Sequence, residues 1–135
     1  MKLRRCVSAP ALAMMLAGCG GDPTPLGPTP PGEGITVYVH AGFQGTSQAV
    51  AGDVQNLSNV EGPCPEGDDV SRLTWNDCIS SVRVQPGWGA TLYGDRNFNG
   101  ATLEILEDVT DLKAVSGSCS GSYNDCISSI RVYRR

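Results

Sequence analysis

Residues 76 to 81 read Asn-Asp-Cys-Ile-Ser-Ser, and residues 124 to 129 read the same six again. An aromatic, Trp75 or Tyr123, precedes each copy, and an alternating tail follows it, "VRV" at 82–84 or "IRVY" at 130–133. A short chain that repeats such a string in the same setting is constrained to fold as two related units. Aligning Tyr38 with Tyr93 lays "VYVHAGFQGTSQAV" (37–50) on "LYGDRNFNGATLEI" (92–105), so that Phe43 meets Phe98 and Gly45 meets Gly100. "DVQNL" at 53–57 then meets "DVTDL" at 108–112 at the same offset. The spacing shortens afterwards, because the first copy carries extra residues around "EGPCPEGDD", 61–69. Such an indel belongs in a surface loop.

Both units read as β. Short runs rich in Val, Ile, Thr and Tyr, broken by Gly, Asn and Asp, predict strands at 35–40, 46–51, 70–75 and 80–85 in the first unit. The second unit offers 90–94, 101–106, a weaker run near 114–118, and 128–133. Helical periodicity is absent, although "DVTDLKAV" has room for one turn. Strand alternation points Val82 and Val84 inward with Arg83 outward, and Ile130 and Val132 inward with Arg131 outward. Four short strands per unit, taken twice, predict an all-β sandwich of two Greek-key motifs over residues 35–135, with units at about 35–85 and 90–135.

The two "Y-x-x-x-x-F-x-G" runs, 38–45 and 93–100, and the two "N-D-x-x-S-S" runs together resemble the βγ-crystallins, over about residues 35 to 135. The resemblance implies that each aromatic–glycine run forms a folded hairpin between the first two strands of its unit. Gly45 and Gly100 would supply backbone angles that a side chain resists. Tyr38 with Phe43, and Tyr93 with Phe98, would pack across the bends.

One Asn-Asp-x-x-Ser-Ser string alone is an ordinary capped turn. Asn and Asp bond to nearby backbone and tolerate left-handed conformations, and Ser satisfies neighbouring amides. Two copies in a duplicated fold suggest more. Asn, Asp and Ser present compact oxygens, and calcium takes oxygen ligands from carboxylates, carbonyls, amides and water. In calcium-binding βγ-crystallins this motif supplies the site, and the resemblance implies a crossed arrangement in which each unit lends a serine to the ion held by the other. Asp77 and Asp125 would be the main side-chain ligands, and Ser80 and Ser128 would be exchanged. Backbone carbonyls near Val39 and Gly94 would complete the shells, while Asn76 and Asn124 shape the loops. With about one carboxylate each, the sites are expected to be weak, roughly 10⁻⁵ to 10⁻³ M as in extracellular modules.

Of six cysteines, Cys6 and Cys19 fall in the N-terminal segment, leaving Cys64, Cys78, Cys119 and Cys126. Four thiols allow three pairings. The repeat selects Cys64–Cys78 and Cys119–Cys126, because each unit has one cysteine in the approach of its third strand and one inside the hexapeptide. A closed loop of about 15 residues contributes roughly 3 kcal/mol in the chain-entropy account. Zinc is a poorer use for these thiols, since Cys-x-x-Cys and His spacings are missing.

Residues 1–18 read as an export signal: Lys2, Arg4 and Arg5, then a short apolar run ending in "LAGC". That ending resembles the bacterial lipoprotein box, in which Cys19 becomes the lipidated N-terminus. More than one acyl chain makes such anchoring stable. Gly20 stands where an Asp would signal inner-membrane retention. Residues 19–34 then form a Pro- and Gly-rich tether, semi-rigid and extended. The expected location is the bacterial cell envelope, at the outer membrane or cell surface. Losing Lys2, Arg4 and Arg5 leaves seven Lys and Arg against 14 Asp and Glu, a net of −7. No basic stripe suits nucleic acid, and an acidic surface suits cations.

Catalysis finds no support. His40, the single histidine, has no spaced partner. "GSCSG" at 117–121 has the outline of a nucleophile elbow, but no His follows it. "NLS" at 56–58 fits a glycosylation sequon of little meaning in a bacterial lipoprotein, and Trp88 reads as a packing aromatic. Two functions fit: a calcium-stabilised structural or adhesive module on the envelope, or, as the resemblance to disulfide-bonded bacterial βγ-crystallin-like proteins that block metalloproteases implies, an inhibitor. "PCPEGDD", 63–69, is then an exposed inhibitory or recognition loop, where otherwise it is a tolerated loop insertion. No protein or carbohydrate partner is legible.

Overall fold

Alternating apolar residues in "ITVYVH" make the first strand of the domain, with Ile35 and Val37 buried and Thr36 and Tyr38 between core and solvent. The computed structural model describes residues 32–135. The expected signal at 1–18, the lipidation site Cys19 and the tether as far as residue 31 lie outside the described residues.

The first unit contains β1 (Ile35–His40), β2 (Gln44–Val50), β3 (Glu61–Glu66), β4 (Asp69–Thr74) and β5 (Ser81–Val84). The second contains β6 (Trp88–Asp95), β7 (Asn99–Ile105), β8 (Ser116–Cys119) and β9 (Ser129–Arg134). Two three-stranded antiparallel sheets, β2-β1-β5 and β7-β6-β9, bear the repeat, and β3 and β4 form a separate hairpin. Among the described residues the helical content is two single 3₁₀ turns, Leu57–Asn59 and Leu112–Ala114. The second of these lies within "DVTDLKAV", where one turn was expected.

The two units exchange chain. Val54 forms an antiparallel bridge with Ile130 of β9, and Val109 forms the matching bridge with Val82 of β5. Asp53 and Asp108 lock the same crossovers by accepting from the backbone amides of Val132 and Val84. Each sheet is therefore extended by a piece of the other unit. One core results, with Ile35, Val37, Val82, Leu92, Leu112, Ile127 and Ile130 fully buried. Trp75, at 1% exposure, and Tyr123 fill it from the residue before each hexapeptide.

Inside the folded hairpins, Tyr38 and Phe43 meet edge-on at 5.6 Å between ring centroids, and Tyr93 and Phe98 do the same at 5.6 Å. Arg83 and Arg131, the outward residues of the alternating tails, lie over Phe43 and Phe98 at 4.1 and 3.9 Å. Each contact adds a cation–π attraction. Gly45 and Gly100 hold φ of 80° and 81°, and a Cβ on Gly45 would collide with Val39. The final serine of each hexapeptide is fully buried and pins its hairpin. Ser81 Oγ donates to the His40 carbonyl at 2.6 Å and accepts from the Phe43 amide at 3.0 Å. Ser129 Oγ donates to the Asp95 carbonyl and accepts from the Phe98 amide at the same two distances.

One expectation needs correction. Residues 61–69 are not a plain loop, because Glu61–Glu66 pairs with Asp69–Thr74 across a turn containing Gly67. Proline cannot donate to a ladder, yet Pro63 and Pro65 both lie in this strand. They are accommodated in a two-stranded edge whose register slips between Glu61 and Cys64 and again between Pro65 and Glu66. Trp88, expected as a packing aromatic, is half-buried at the start of β6, with Arg134 4.7 Å above its ring. Both disulfides take the expected pairing, Cys64–Cys78 and Cys119–Cys126, with Cα separations of 5.9 and 6.0 Å.

The serine pins are testable. Removing one buried hydroxyl strands a carbonyl and an amide, so Ser81→Ala and Ser129→Ala should each lower unfolding free energy by about 1–3 kcal/mol in denaturant titrations. The double variant should lose the sum within about 0.5 kcal/mol, because the pins share no partner.

Candidate cation site at the paired hexapeptides

The two hexapeptides lie against each other. The Asp77 amide donates to the Ile127 carbonyl at 3.0 Å, and the Asp125 amide donates to the Ile79 carbonyl at 3.1 Å. Asp77 and Asp125 both take φ of 52°, the left-handed angle that Asp tolerates better than most side chains. Each asparagine steadies its neighbour's carboxylate. Asn76 Nδ2 donates to Asp77 Oδ2 at 3.0 Å, and Asn124 Nδ2 donates to Asp125 Oδ2 at 2.7 Å. The other carboxylate oxygen faces the opposite unit. Ser128 Oγ donates to Asp77 Oδ1 at 3.4 Å, and Ser80 Oγ donates to Asp125 Oδ1 at 3.3 Å.

Main-chain oxygens are set beside these pairs by the strands. The Ser80 amide donates to the Tyr38 carbonyl and the Ser128 amide to the Tyr93 carbonyl, both at 2.9 Å. The next residues, Val39 and Gly94, fall where the ladders to β2 and β7 skip a residue. Two open clefts follow. One, of about 470 Å³, brings Val39, Ser80 and Asp125 together with Asn124, Asp111 and Lys113. The other, of about 400 Å³, brings Gly94, Ser128 and Asp77 together with Asn76, Ser58 and Glu66. The structure thus gathers Asn76, Asp77, Ser80, Asn124, Asp125, Ser128, Val39 and Gly94 at two related clefts. Asp77 reaches both.

The donors are carboxylate, hydroxyl and carbonyl oxygens, which fit a hard cation such as calcium. Among the described residues no group of three or more His, Cys, Asp or Glu side chains is arranged to hold a metal. A cation here would rest on one close Asp, a hydroxyl, main-chain oxygens and water. Burial in its cleft pushes the Asp77 carboxyl above the usual carboxylate range. The Ser128 hydrogen bond pulls it back, and the negative charges of Glu66 and Asp125 push it further up. A group so placed gains from a positive charge beside it.

Sequence reasoning missed several cleft residues, Ser58, Asp111 and Lys113 among them, and above all Glu66. It accepts from Ser58 Oγ at 2.5 Å and from Thr74 Oγ1 at 3.0 Å, with Arg72 3.6 Å away. The Ser58 hydroxyl holds its carboxyl below the usual range. The acidic insert was the available signal, but only the hairpin turns Glu66 back to the cleft.

Comparison with known proteins agrees with this architecture. Residues 36–105 match the family described as Peptidase inhibitor family I36. The chain is 35% identical over 100 residues to Spherulin-3A of Physarum polycephalum, covering 73% of this chain and 80% of that protein. It is 38% identical over 101 residues to the Epidermal differentiation-specific protein of Cynops pyrrhogaster, covering 73% of this chain and 23% of that longer protein. Among solved structures, a βγ-crystallin domain from Flavobacterium johnsoniae is similar at 35% identity and a TM-score of 0.54, covering 75% of this chain and 94% of that one. A structure concerned with evolution of the eye-lens βγ-crystallin domain fold is similar at 32% identity and a TM-score of 0.58, covering 82% and 95%. With the paired folded hairpins, the exchanged crossovers and these likenesses in place, the chain belongs to the βγ-crystallin family.

Proposed function

We propose that this protein is a calcium-binding βγ-crystallin module of the bacterial cell envelope, structural or adhesive in role and held to the membrane by lipid at Cys19. The observation that carries the calcium reading is the reciprocal pairing of Ser80 with Asp125 and Ser128 with Asp77. Asp125, Ser80 and the Val39 carbonyl would hold one ion, and Asp77, Ser128 and the Gly94 carbonyl the other. Asn76 and Asn124 orient the carboxylates. Calcium supplies a divalent charge that draws hard oxygens together. Because each cleft takes its serine and its aspartate from different units, a bound cation stabilises the fold by holding both halves. A weak site is of no use in a calcium-poor cytosol and of use outside it, in keeping with the export signal.

Calcium at 100 times its dissociation constant should add about 2.7 kcal/mol per site. Melting temperature should therefore rise with calcium and fall back with chelator. Asp77→Ala combined with Asp125→Ala should abolish the rise, and an unchanged response would refute the assignment. For the anchor, Cys19→Ser should abolish incorporation of labelled palmitate and release the protein from the membrane fraction.

One observation favours a second reading, protease inhibition. The β3–β4 hairpin is tied at its base by Cys64–Cys78 and displays Val70 at 76% and Leu73 at 46% exposure. A clamped strand with exposed apolar side chains has the form that proteases bind. Under this reading the Asp77→Ala, Asp125→Ala variant should still inhibit a metalloprotease from a test panel, and Val70→Asp should not. Absence of inhibition across the panel by the unsubstituted protein would remove this reading.

A further inference from the structure

The two clefts are built from a repeated sequence, but they carry different charges at matching positions. The 3₁₀ turns Leu57–Asn59 and Leu112–Ala114 correspond, with caps Asn56 and Asp111 in the same role. Their middle residues are Ser58 and Lys113. Ser58 lines the Asp77 cleft and Lys113 lines the Asp125 cleft. A neutral hydroxyl in one cleft is therefore matched by an ammonium in the other.

The hydroxyl has a second consequence. Ser58 Oγ donates to Glu66, which Thr74 also holds, so a carboxylate from β3 is fixed in the Asp77 cleft. The corresponding strand of the second unit, Ser116–Cys119, and the turn after it read "SGSCSGS" and contain no acid. Other charges must be weighed. Asp95 and Arg96 both line the Asp77 cleft and offset each other. Arg72, beside Glu66, is half-exposed and reduces its field in part. Asp111 and Asp77 both line the Asp125 cleft, but Asp111 is engaged as the cap of the Lys113 amide at 2.9 Å, and the two Asp77 oxygens accept from Asn76 and Ser128.

We propose that the clefts are unequal calcium sites, and that Glu66 and Lys113 set the difference: Glu66 strengthens the Asp77–Ser128–Gly94 site, and Lys113 weakens the Asp125–Ser80–Val39 site. The proposal rests on the calcium reading above. Glu66 acts through space or through water, as a charge that raises affinity without joining the Asp–Ser pair. The hairpin clamped by Cys64–Cys78 is then the part of the first unit that grades its neighbouring ion site.

The test is calorimetric titration of the oxidised full-length protein with calcium chloride, beside matched titrations of variants. Two binding steps are expected. Asp77→Ala removes the tighter and Asp125→Ala the weaker. Glu66→Gln keeps hydrogen-bonding capacity and removes the charge, so it should weaken the tighter step roughly three- to tenfold and leave the other alone. Lys113→Gln should tighten the weaker step by a smaller factor. Melting temperatures in chelator identify any loss of folding in Glu66→Gln, and exposed Lys113 then provides the independent readout. The proposal is overturned if Asp77→Ala removes the weaker step, or if the folded Glu66→Gln and Lys113→Gln proteins keep both affinities. Absence of any calcium binding by the unsubstituted protein overturns the calcium reading itself, and the grading with it.

Discussion

The structure depends on the hydrogen bonds by which each hexapeptide closes on the other. The Asp77 and Asp125 amides reach carbonyls of the opposite copy, and the Leu57 and Leu112 amides do the same toward Ser128 and Ser80. A buried amide left without a partner is costly. Neither unit can satisfy these groups alone, so the halves fold as one body. The bridges of Val54 with Ile130 and Val109 with Val82 continue the exchange into the sheets.

This dependence explains why six residues are repeated as a block. The asparagine orients a carboxylate, and the aspartate turns the chain at positive φ. The cysteine closes the disulfide within its own unit, and the isoleucine fills the core. The first serine crosses to the other unit's aspartate. The second pins the folded hairpin. No position is spare, and the two serines, adjacent in sequence, serve opposite directions because strand side chains alternate.

Departure from the repeat is as informative as the repeat. The extra residues of the first unit become a disulfide-clamped hairpin that exposes Val70 on its outer side and brings Glu66 back to the Asp77 cleft. One insertion thus alters both the surface available to a partner and the charge beside Asp77. Lys113, in a turn of otherwise equal geometry, alters the second cleft in the opposite sense.

The sequence alone determined the duplicated all-β plan, the bends at Gly45 and Gly100, the aromatic pairs across them and the cysteine pairing. The plan and the pairing are written in spacing that the repeat states twice, and the bends and aromatic pairs are what the family resemblance of those runs implies. The oxygen-bearing residues of the clefts were legible for the same reason, aided by the family resemblance. Only the tertiary structure decided that residues 61–66 form a strand, since Pro63 and Pro65 oppose one locally and the disulfide and edge position permit it. It alone brought Glu66 and Lys113 to the clefts and gave Ser81 and Ser129 their hairpin partners. Those contacts join residues distant in the chain, and side-chain charge and hydrogen bonding act through space rather than along the sequence.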